Sequence, residues 1–255
     1  MNANDYIAVF DSGVGGISVL RQLRKRMPSE RFLYFGDSAN APYGSRPTQE
    51  VRDLTLAAAE KLYREYPVKA LVVACNTATA AAITALRQTY PDRIIVGIEP
   101  ALKLAADNFP GGRIGVMATE VTLREEKFDL LMHRFRESCT VTKIPAPGLV
   151  ELIEGGRRDS GETHTFLQSL LAPHLGKLDV LVLGCTHYPF VKRNIQAILG
   201  PNVPVLHGGQ GTARETQRRL ESAGLLREGP GSVTILNSKP DPRILELSRD
   251  LLEGR

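Results

Sequence analysis

The stretch Ala70-Leu71-Val72-Val73-Ala74-Cys75-Asn76-Thr77 decides the fold class. Its first five residues form an uninterrupted apolar run, which is typical of a strand buried on both faces of a sheet. The Ala-rich residues 78–86 that follow predict a helix able to pack very close to its neighbours. A buried strand that passes directly into a helix is the unit from which parallel α/β sheets are built.

The same alternation of apolar strands and amphipathic helices runs along the whole chain. The predicted strands are residues 6–10, 32–35, 70–74, 93–98, 114–118, 140–144, 180–183, 203–206 and 233–236. The predicted helices are residues 17–27, 48–62, 78–86, 100–108, 122–136, 164–175, 190–199, 211–223 and 242–252, with Thr48 as the N-cap of the second. This pattern predicts parallel sheets with helices on both faces.

Two pairs of segments suggest an internal repeat. Ile7–Ser12 resembles Ile114–Thr119, and Ala70–Thr77 resembles Val180–His187 at nearly the same spacing. Buried strands look alike in any α/β protein, but two matches at one spacing favour a repeat. The sequence therefore predicts two similar, doubly wound parallel-sheet domains. They comprise residues 1–97 with 209–255, and residues 98–208.

Composition narrows the class of protein. The 255 residues are 42% hydrophobic and 24% charged, which excludes a disordered, collagenous or coiled-coil chain. The net charge of +4 is too small to predict a nucleic-acid partner. No apolar run approaches the ~18 residues of a spanning helix, and no signal-peptide core precedes the first strand. With three cysteines and no disulfide framework, we expect a cytoplasmic enzyme or binding protein without a membrane partner.

The cysteines carry the strongest chemical signal. Cys75 and Cys185 each follow a buried strand and precede a predicted helix, at the end of the sheet where α/β proteins bind ligands. A helix N-terminus favours the thiolate. A single free cysteine is commonly a packing residue, but two at matched positions favour catalysis. Cys139 has no such setting and is predicted to be structural. His187, two residues after Cys185, is a candidate proton carrier.

A Gly-rich turn, Asp11–Gly16, joins the first strand to the first helix. Its backbone N–H groups could hold a phosphate or a carboxylate, but it matches neither standard phosphate-binding motif. Asp11 could instead be an ordinary helix cap. Tyr43 lies in a second turn, Ala41–Gly44, where a surface anchor is the simpler interpretation. No cluster of residues has metal-ligand spacing, so we expect no metal.

Taken together, five motifs resemble the glutamate racemases of the cofactor-independent Asp/Glu racemase superfamily. They are Phe10–Gly16, Pro42–Gly44, Ala74–Ala78, Glu99–Ala101 and Gly184–Pro189. The resemblance implies two α/β domains with the active site in the cleft between them, no cofactor, and glutamate as substrate, and it allows a homodimer. It also implies a role in supplying D-glutamate for peptidoglycan.

The resemblance assigns roles residue by residue. Cys75 and Cys185 are the two bases, which take the proton from D-glutamate and L-glutamate respectively, and Asp11 and His187 assist them. Besides those two helpers, the implied substrate contacts are Ser12, Tyr43, Gly44, Asn76, Thr77 and Thr186. Glu151 and Glu154 compete for one further carboxylate position. The chain departs from the family pattern at Leu123, Arg124, Phe128 and residues 206–209.

Racemisation explains why each half would carry a thiol. The Cα proton leaves on one face and returns on the other, so one base is needed on each face, one as thiolate and one as thiol. A gap of ten or more pKa units between Cα and a thiol corresponds to about 14 kcal/mol. Pyridoxal phosphate usually offsets that cost. Without it, placed hydrogen bonds must stabilise the carbanion, and we expect them from backbone N–H groups at predicted helix starts, namely those of Ser12, Asn76, Thr77 and Thr186.

Other functions remain open on sequence alone. An aspartate racemase or another amino-acid racemase of the superfamily would differ only in its pocket. A non-catalytic amino-acid- or anion-binding module would have no need for a cysteine in each half. A thiol redox protein is disfavoured because the sequence contains no CxxC motif.

Overall fold

A computed structural model describes residues 1–124, 130, 132–133, 135 and 138–255. The chain forms two compact units, Met1–Glu99 with Gly209–Arg255, and Pro100–Gly208. Much of the helix predicted for residues 122–136, and Phe128, lie outside the described residues. Across the described ranges, no helix combines the length and apolar character that crossing a bilayer requires.

The described strands and helices follow the predicted alternation. The strands are β1 (Tyr6–Asp11), β2 (Arg31–Gly36), β3 (Val68–Val73), β4 (Ile94–Gly97), β5 (Arg113–Ala118), β6 (Thr140–Pro145), β7 (Val180–Leu183), β8 (Val205–His207) and β9 (Ser232–Asn237). The α-helices are α1 (Ile17–Arg26), α2 (Thr48–Glu65), α3 (Asn76–Thr89), α4 (Leu102–Asn108), α5 (Glu120–Arg124), α6 (Leu149–Glu154), α7 (Gly161–Leu171), α8 (Lys192–Leu199), α9 (Gly209–Ser222) and α10 (Pro242–Glu253). Short 3₁₀ helices occupy Tyr43–Ser45, Ala172–His174 and Tyr188–Val191.

The two sheets share one strand order. The first sheet runs β4-β3-β1-β2-β9 and the second runs β6-β5-β7-β8. Every neighbouring pair is parallel. From its β8 edge the second sheet reads β8-β7-β5-β6, which matches the first four strands of the first sheet. The strands that the sequence repeat equates, β1 with β5 and β3 with β7, therefore occupy the same places.

Both faces of each sheet are covered, which confirms the doubly wound prediction. In the first sheet, Ala8 and Phe10 of β1 pack with α2 and α3, while Ile7 and Val9 are fully buried on the other face. In the second sheet, successive residues of β5 join two different cores, one with α6 and α7 and one with α4. Burial on both faces is why these strands appear in the sequence as continuous apolar runs.

Two local predictions are wrong. Pro47, rather than Thr48, is the N-cap of α2, and Thr48 is already helical. The proline ring holds Pro47 at φ −57° with an extended ψ of 142°, so the helix begins one residue later. Helix α6 was not predicted at all, because its six residues are too few to show a periodic pattern. It begins after Gly148, whose φ of 88° only glycine adopts readily.

Candidate functional site

Cys75 lies where β3 passes into α3. It is the N-cap of this 14-residue helix, with extended backbone, and its sulfur accepts a hydrogen bond from the Ala78 N–H at 3.4 Å. N–H groups at a helix N-terminus have no intrahelical partner and carry partial positive charge. The fold therefore offers this sulfur the environment that favours a thiolate, as the sequence predicts.

The Gly-rich turn holds two more predicted residues, and one of them contacts Cys75. Its thiol donates to Ser12 Oγ at 3.6 Å. Asp11 is fully buried, and its Oδ2 accepts the Gly13 N–H at 3.1 Å. The N-cap of α1 is Gly16, which has no side-chain cap, so Asp11 is not a helix cap. A Cβ on Gly16 would lie 2.6 Å from the Asp11 Cβ, so only glycine lets the helix start this close to the carboxylate.

Tyr43 is buried rather than a surface anchor. Its hydroxyl donates to Asp37 Oδ2 at 2.7 Å, and the Asn40 amide donates to both Asp37 oxygens at 3.0 and 3.1 Å. Burial raises the pKa of Tyr43 far above its usual value, and Asp37, Cys75 and Asp11 raise it further. Tyr43 is thus a neutral phenol whose proton is directed at Asp37. Asp37 is not among the predicted site residues, although it directly follows β2, much as Cys75 comes shortly after β3.

Asn76 and Thr77 are the first two residues of α3, and both are buried. The Asn76 Oδ1 is buried and accepts no hydrogen bond from the described residues. Buried polar groups are almost always paired, so this acceptor is open to a donor from outside the protein. Gly44 lies in the short 3₁₀ helix with Tyr43. We call the group Asp11, Ser12, Asp37, Tyr43, Cys75, Asn76 and Thr77 the Cys75 site.

Cys185 lies at the end of β7, the strand equivalent to β3, but its surroundings differ. A 3₁₀ helix at Tyr188–Val191 follows, and α8 begins only at Lys192. The expectation that a helix directly follows Cys185 is therefore wrong. For the same reason Thr186 is not at a helix start. Ser12 is not at one either, since α1 begins five residues after it.

The partner of Cys185 is an imidazole in place of a helix N-terminus. His187 Nδ1 is 3.7 Å from the Cys185 Sγ, and His187 Nε2 is 2.7 Å from Glu154 Oε1. Burial acts to lower the pKa of His187, but its hydrogen bonds to Cys185 and Glu154 outweigh burial and raise this pKa well above the usual value. The ring is thus held as a cation between a sulfur and a carboxylate. We call the group Glu154, Cys185, Thr186 and His187 the Cys185 site.

The structure distinguishes Glu154 from Glu151, the two carboxylates that compete for one position in the sequence. Glu154, the last residue of α6, contacts His187 and is 22% exposed at its side chain. Glu151, one helical turn earlier, is exposed.

His207, in the segment that departs from the family pattern, lies on β8 opposite Leu183 of β7. Burial and the nearby Lys192 lower the pKa of His207 to about 4, so it is neutral at physiological pH.

Cys139 directly precedes β6, at the amino end of that strand, whereas Cys75 and Cys185 follow the carboxyl ends of β3 and β7. Its buried thiol donates to the Phe135 carbonyl at 3.3 Å, and burial raises its pKa. Among the residues that the structure describes, no group of three or more His, Cys, Asp or Glu side chains is arranged to hold a metal ion.

Comparison with known proteins places this geometry in a family. Residues 17–216 match the Asp/Glu/Hydantoin racemase family. The chain is 46% identical over 254 residues, 98% of each chain, to the glutamate racemase of Clostridium botulinum (strain Alaska E43 / Type E3). Its fold resembles the crystal structure of glutamate racemase isoform RacE1 from Bacillus anthracis, with a TM-score of 0.89, 30% identity and coverage of 100% and 96% of the two chains.

A second solved structure similar to this chain contains an amino acid. The Escherichia coli glutamate racemase, in complex with L-glutamate and the activator UDP-MurNAc-ala, matches with a TM-score of 0.86 and 28% identity over 98% of this chain and 95% of that one. The family match covers well over half of the chain, and the relatives match it over nearly its full length. The chain therefore belongs to the Asp/Glu/Hydantoin racemase family.

Proposed function

We propose that this chain is a glutamate racemase that interconverts L- and D-glutamate and so supplies D-glutamate for peptidoglycan. One observation carries the proposal above the others. Each of two sheets with the same strand order carries a cysteine after its equivalent strand, β3 or β7, and each thiol has its own polar partners. A reaction that needs two equal bases accounts for that duplication, whereas binding alone does not.

In this proposal Cys75 and Cys185 act on opposite faces of one Cα. The thiolate of one cysteine takes the Cα proton, and the thiol of the other delivers its own proton to the opposite face. The two sulfurs exchange protonation states in each turnover, so they titrate as a coupled pair. Asp11 assists Cys75. His187, held by Glu154, assists Cys185 by donating a hydrogen bond from its protonated ring to the thiolate.

The remaining residues of the two sites bind the substrate and stabilise the carbanion. We assign the contacts to Ser12, Tyr43, Gly44, Asn76, Thr77 and Thr186. The N–H groups that begin α3 suit a carboxylate, because they carry partial positive charge and lack intrahelical partners. The open Asn76 Oδ1 suits the α-ammonium. Hydrogen bonds that strengthen as charge develops are the means of lowering the barrier without a cofactor.

We also propose that the enzyme works in the cytoplasm, without a nucleic-acid partner, and that it can form a homodimer. None of the three cysteines forms a disulfide, which suits a reducing compartment because disulfides form in oxidising ones.

The decisive experiment incubates the purified protein with L-glutamate in D2O without added metal or cofactor. We expect the optical rotation to decay to zero while one deuterium enters Cα, followed by NMR. If the protein binds L-glutamate but no deuterium enters Cα and the optical rotation stays constant, the protein is a binding module. Activity with aspartate in place of glutamate would move the proposal to another racemase of the family. Visible absorbance of a pyridoxal Schiff base, or loss of activity on dialysis against a chelator, would contradict cofactor independence.

A further inference from the structure

Tyr34 is a fully buried residue of β2 whose hydroxyl reaches the Gly-rich turn. It donates to the Gly13 carbonyl oxygen at 2.6 Å. β2 pairs with β1, and this turn follows directly from β1. A short bond from a fully buried phenol ties the turn to the neighbouring strand. Neither the sequence motifs nor the mechanism above uses Tyr34.

The peptide groups of Gly13 are held on two sides. Its N–H donates to Asp11 Oδ2 at 3.1 Å, and its carbonyl oxygen accepts from Tyr34. β2 also approaches this carbonyl directly, since a Cβ on Gly36 would lie 2.5 Å from the Gly13 oxygen. The carboxylate of Asp11 and the carbonyl of Gly13 are thus coupled through one residue.

Ser12 lies between these two anchored residues, and its hydroxyl is a hydrogen-bond partner of the sulfur. Its Oγ is 3.6 Å from the Cys75 Sγ. A shift of the Gly13 carbonyl would turn the adjoining peptide and move Ser12 and Asp11 together. Misplacing a catalytic group by about 1 Å can cost ~10²-fold in rate.

We propose that Tyr34 is a positioning residue. Its hydroxyl holds Gly13, and through Gly13 it orients Asp11 and Ser12 toward Cys75. Its effect on turnover rests on the proposed racemase function, but its effect on the Cys75 thiol does not.

The test replaces Tyr34 with phenylalanine, which removes one oxygen and keeps the ring. The matched control is Tyr63→Phe in the same unit, because the Tyr63 hydroxyl is buried without a hydrogen-bond partner among the described residues. We expect kcat for glutamate racemisation to fall about 10- to 100-fold in Tyr34→Phe, with KM changed less than about 3-fold. Tyr63→Phe should keep wild-type kcat. Circular dichroism establishes that both variants are folded.

A second readout measures the thiol itself. The wild-type protein and Tyr34→Phe are treated with iodoacetamide. Alkylation of the peptides that contain Cys75 and Cys185 is followed by mass spectrometry. We expect Cys75 to react at least about 3-fold more slowly in Tyr34→Phe, because a displaced Ser12 hydroxyl can no longer turn its O–H to the sulfur when Cys75 becomes a thiolate. Cys185 in the same chain should react at the wild-type rate. A loosened fold without a positioning role would change both thiols.

The outcomes separate the two proposals. If the wild-type chain does not racemise glutamate, the proposed function fails and the alkylation still tests Tyr34. Wild-type kcat together with an unchanged Cys75 rate, or equal changes at both thiols, would overturn the role of Tyr34. Should Tyr34→Phe fail to fold, Gly36→Ala displaces the same carbonyl with a methyl group. A folded Gly36→Ala variant with unchanged Cys75 alkylation would overturn the proposal as well.

Discussion

The Cys75 and Cys185 sites occupy equivalent places in two equivalent sheets, yet they hold their sulfurs differently. Cys75 caps a long helix and accepts an N–H from its first turn, with Ser12 beside it. Cys185 is followed by a short 3₁₀ helix, and its partner is His187, backed by Glu154. One thiol is served by backbone dipoles, and the other by a titratable side chain.

This difference shows that the strand order sets where a thiol lies and the local chain sets how it is activated. Backbone N–H groups cannot lose or gain a proton at physiological pH, so the part that the helix plays in the environment of Cys75 does not change with pH. His187 can titrate, so the environment of Cys185 depends on pH and on Glu154. The predictions below use this asymmetry, from the largest expected effect to the smallest.

Removing either sulfur should abolish the reaction. Cys75→Ala and Cys185→Ala should each lower kcat at least about 10³-fold, because each removes the only base on one face of Cα. Cys139→Ala should keep most activity, because this thiol donates to the local Phe135 carbonyl and belongs to neither site. Racemisation is followed by polarimetry, and folding by circular dichroism. A folded but inactive Cys139→Ala would refute the assignment.

Asp11 and His187 should each assist proton removal from a different face of Cα. Asp11→Asn should mainly slow deprotonation of D-glutamate, and His187→Asn that of L-glutamate, by about 10²- to 10⁴-fold. The overall rates cannot reveal this difference between the two helpers. The equilibrium constant between mirror-image substrates equals one, so kcat/KM must be the same in both directions. The measurement is the primary deuterium isotope effect on kcat/KM with each Cα-deuterated enantiomer, which should rise for the enantiomer whose deprotonation has become limiting. Equal changes for both enantiomers in both variants would show that the helpers do not divide.

The Cys75 site includes the hydrogen bond from the Tyr43 hydroxyl to the Asp37 carboxylate. Tyr43→Phe and Asp37→Asn should each lower kcat/KM about 10-fold, as expected for a charge-assisted hydrogen bond of about 1.5 kcal/mol. The double variant should be no worse than the poorer single one, because both remove the same interaction. Additive losses in steady-state kinetics would mean that the two side chains act separately.

The Cys185 site should show a pH-dependent stability that arises from the His187–Glu154 pair. Folding raises the pKa of His187, so its protonated form stabilises the folded state below about pH 6.5, and this stabilisation is lost as pH rises through the raised pKa. Glu154→Gln should therefore destabilise the protein by about 1–3 kcal/mol near pH 6. The difference in Tm from wild type should shrink as pH rises through the raised pKa of His187.

The matched control is Glu151→Gln on the same helix, whose side chain is exposed. Its free energy of unfolding should stay within about 0.5 kcal/mol of wild type at every pH. A Tm difference for Glu154→Gln that is constant with pH would contradict the assigned ion pair.

Much of this molecule is predictable from local pattern. The apolar runs identify the strands. The repeat between residues 70–77 and 180–187 predicts two equivalent strands, each followed by one cysteine. These signals are readable because burial on both faces of a parallel sheet demands apolar residues without interruption. Boundaries were less predictable, since Pro47 and the 3₁₀ helix at Tyr188–Val191 depend on backbone angles that composition does not report.

The fold class and the two cysteines can therefore be predicted from local pattern, and Asp11 and His187 are candidates because each lies within a few residues of a strand end. The partners of these residues depend on the tertiary structure. Glu154 meets His187, and Tyr34 meets Gly13, across separations of 33 and 21 residues. Such contacts depend on which strand neighbours which and on where a short helix ends. Spacing along a chain carries no record of either, so the environment of each thiol emerges only when the sheets are assembled.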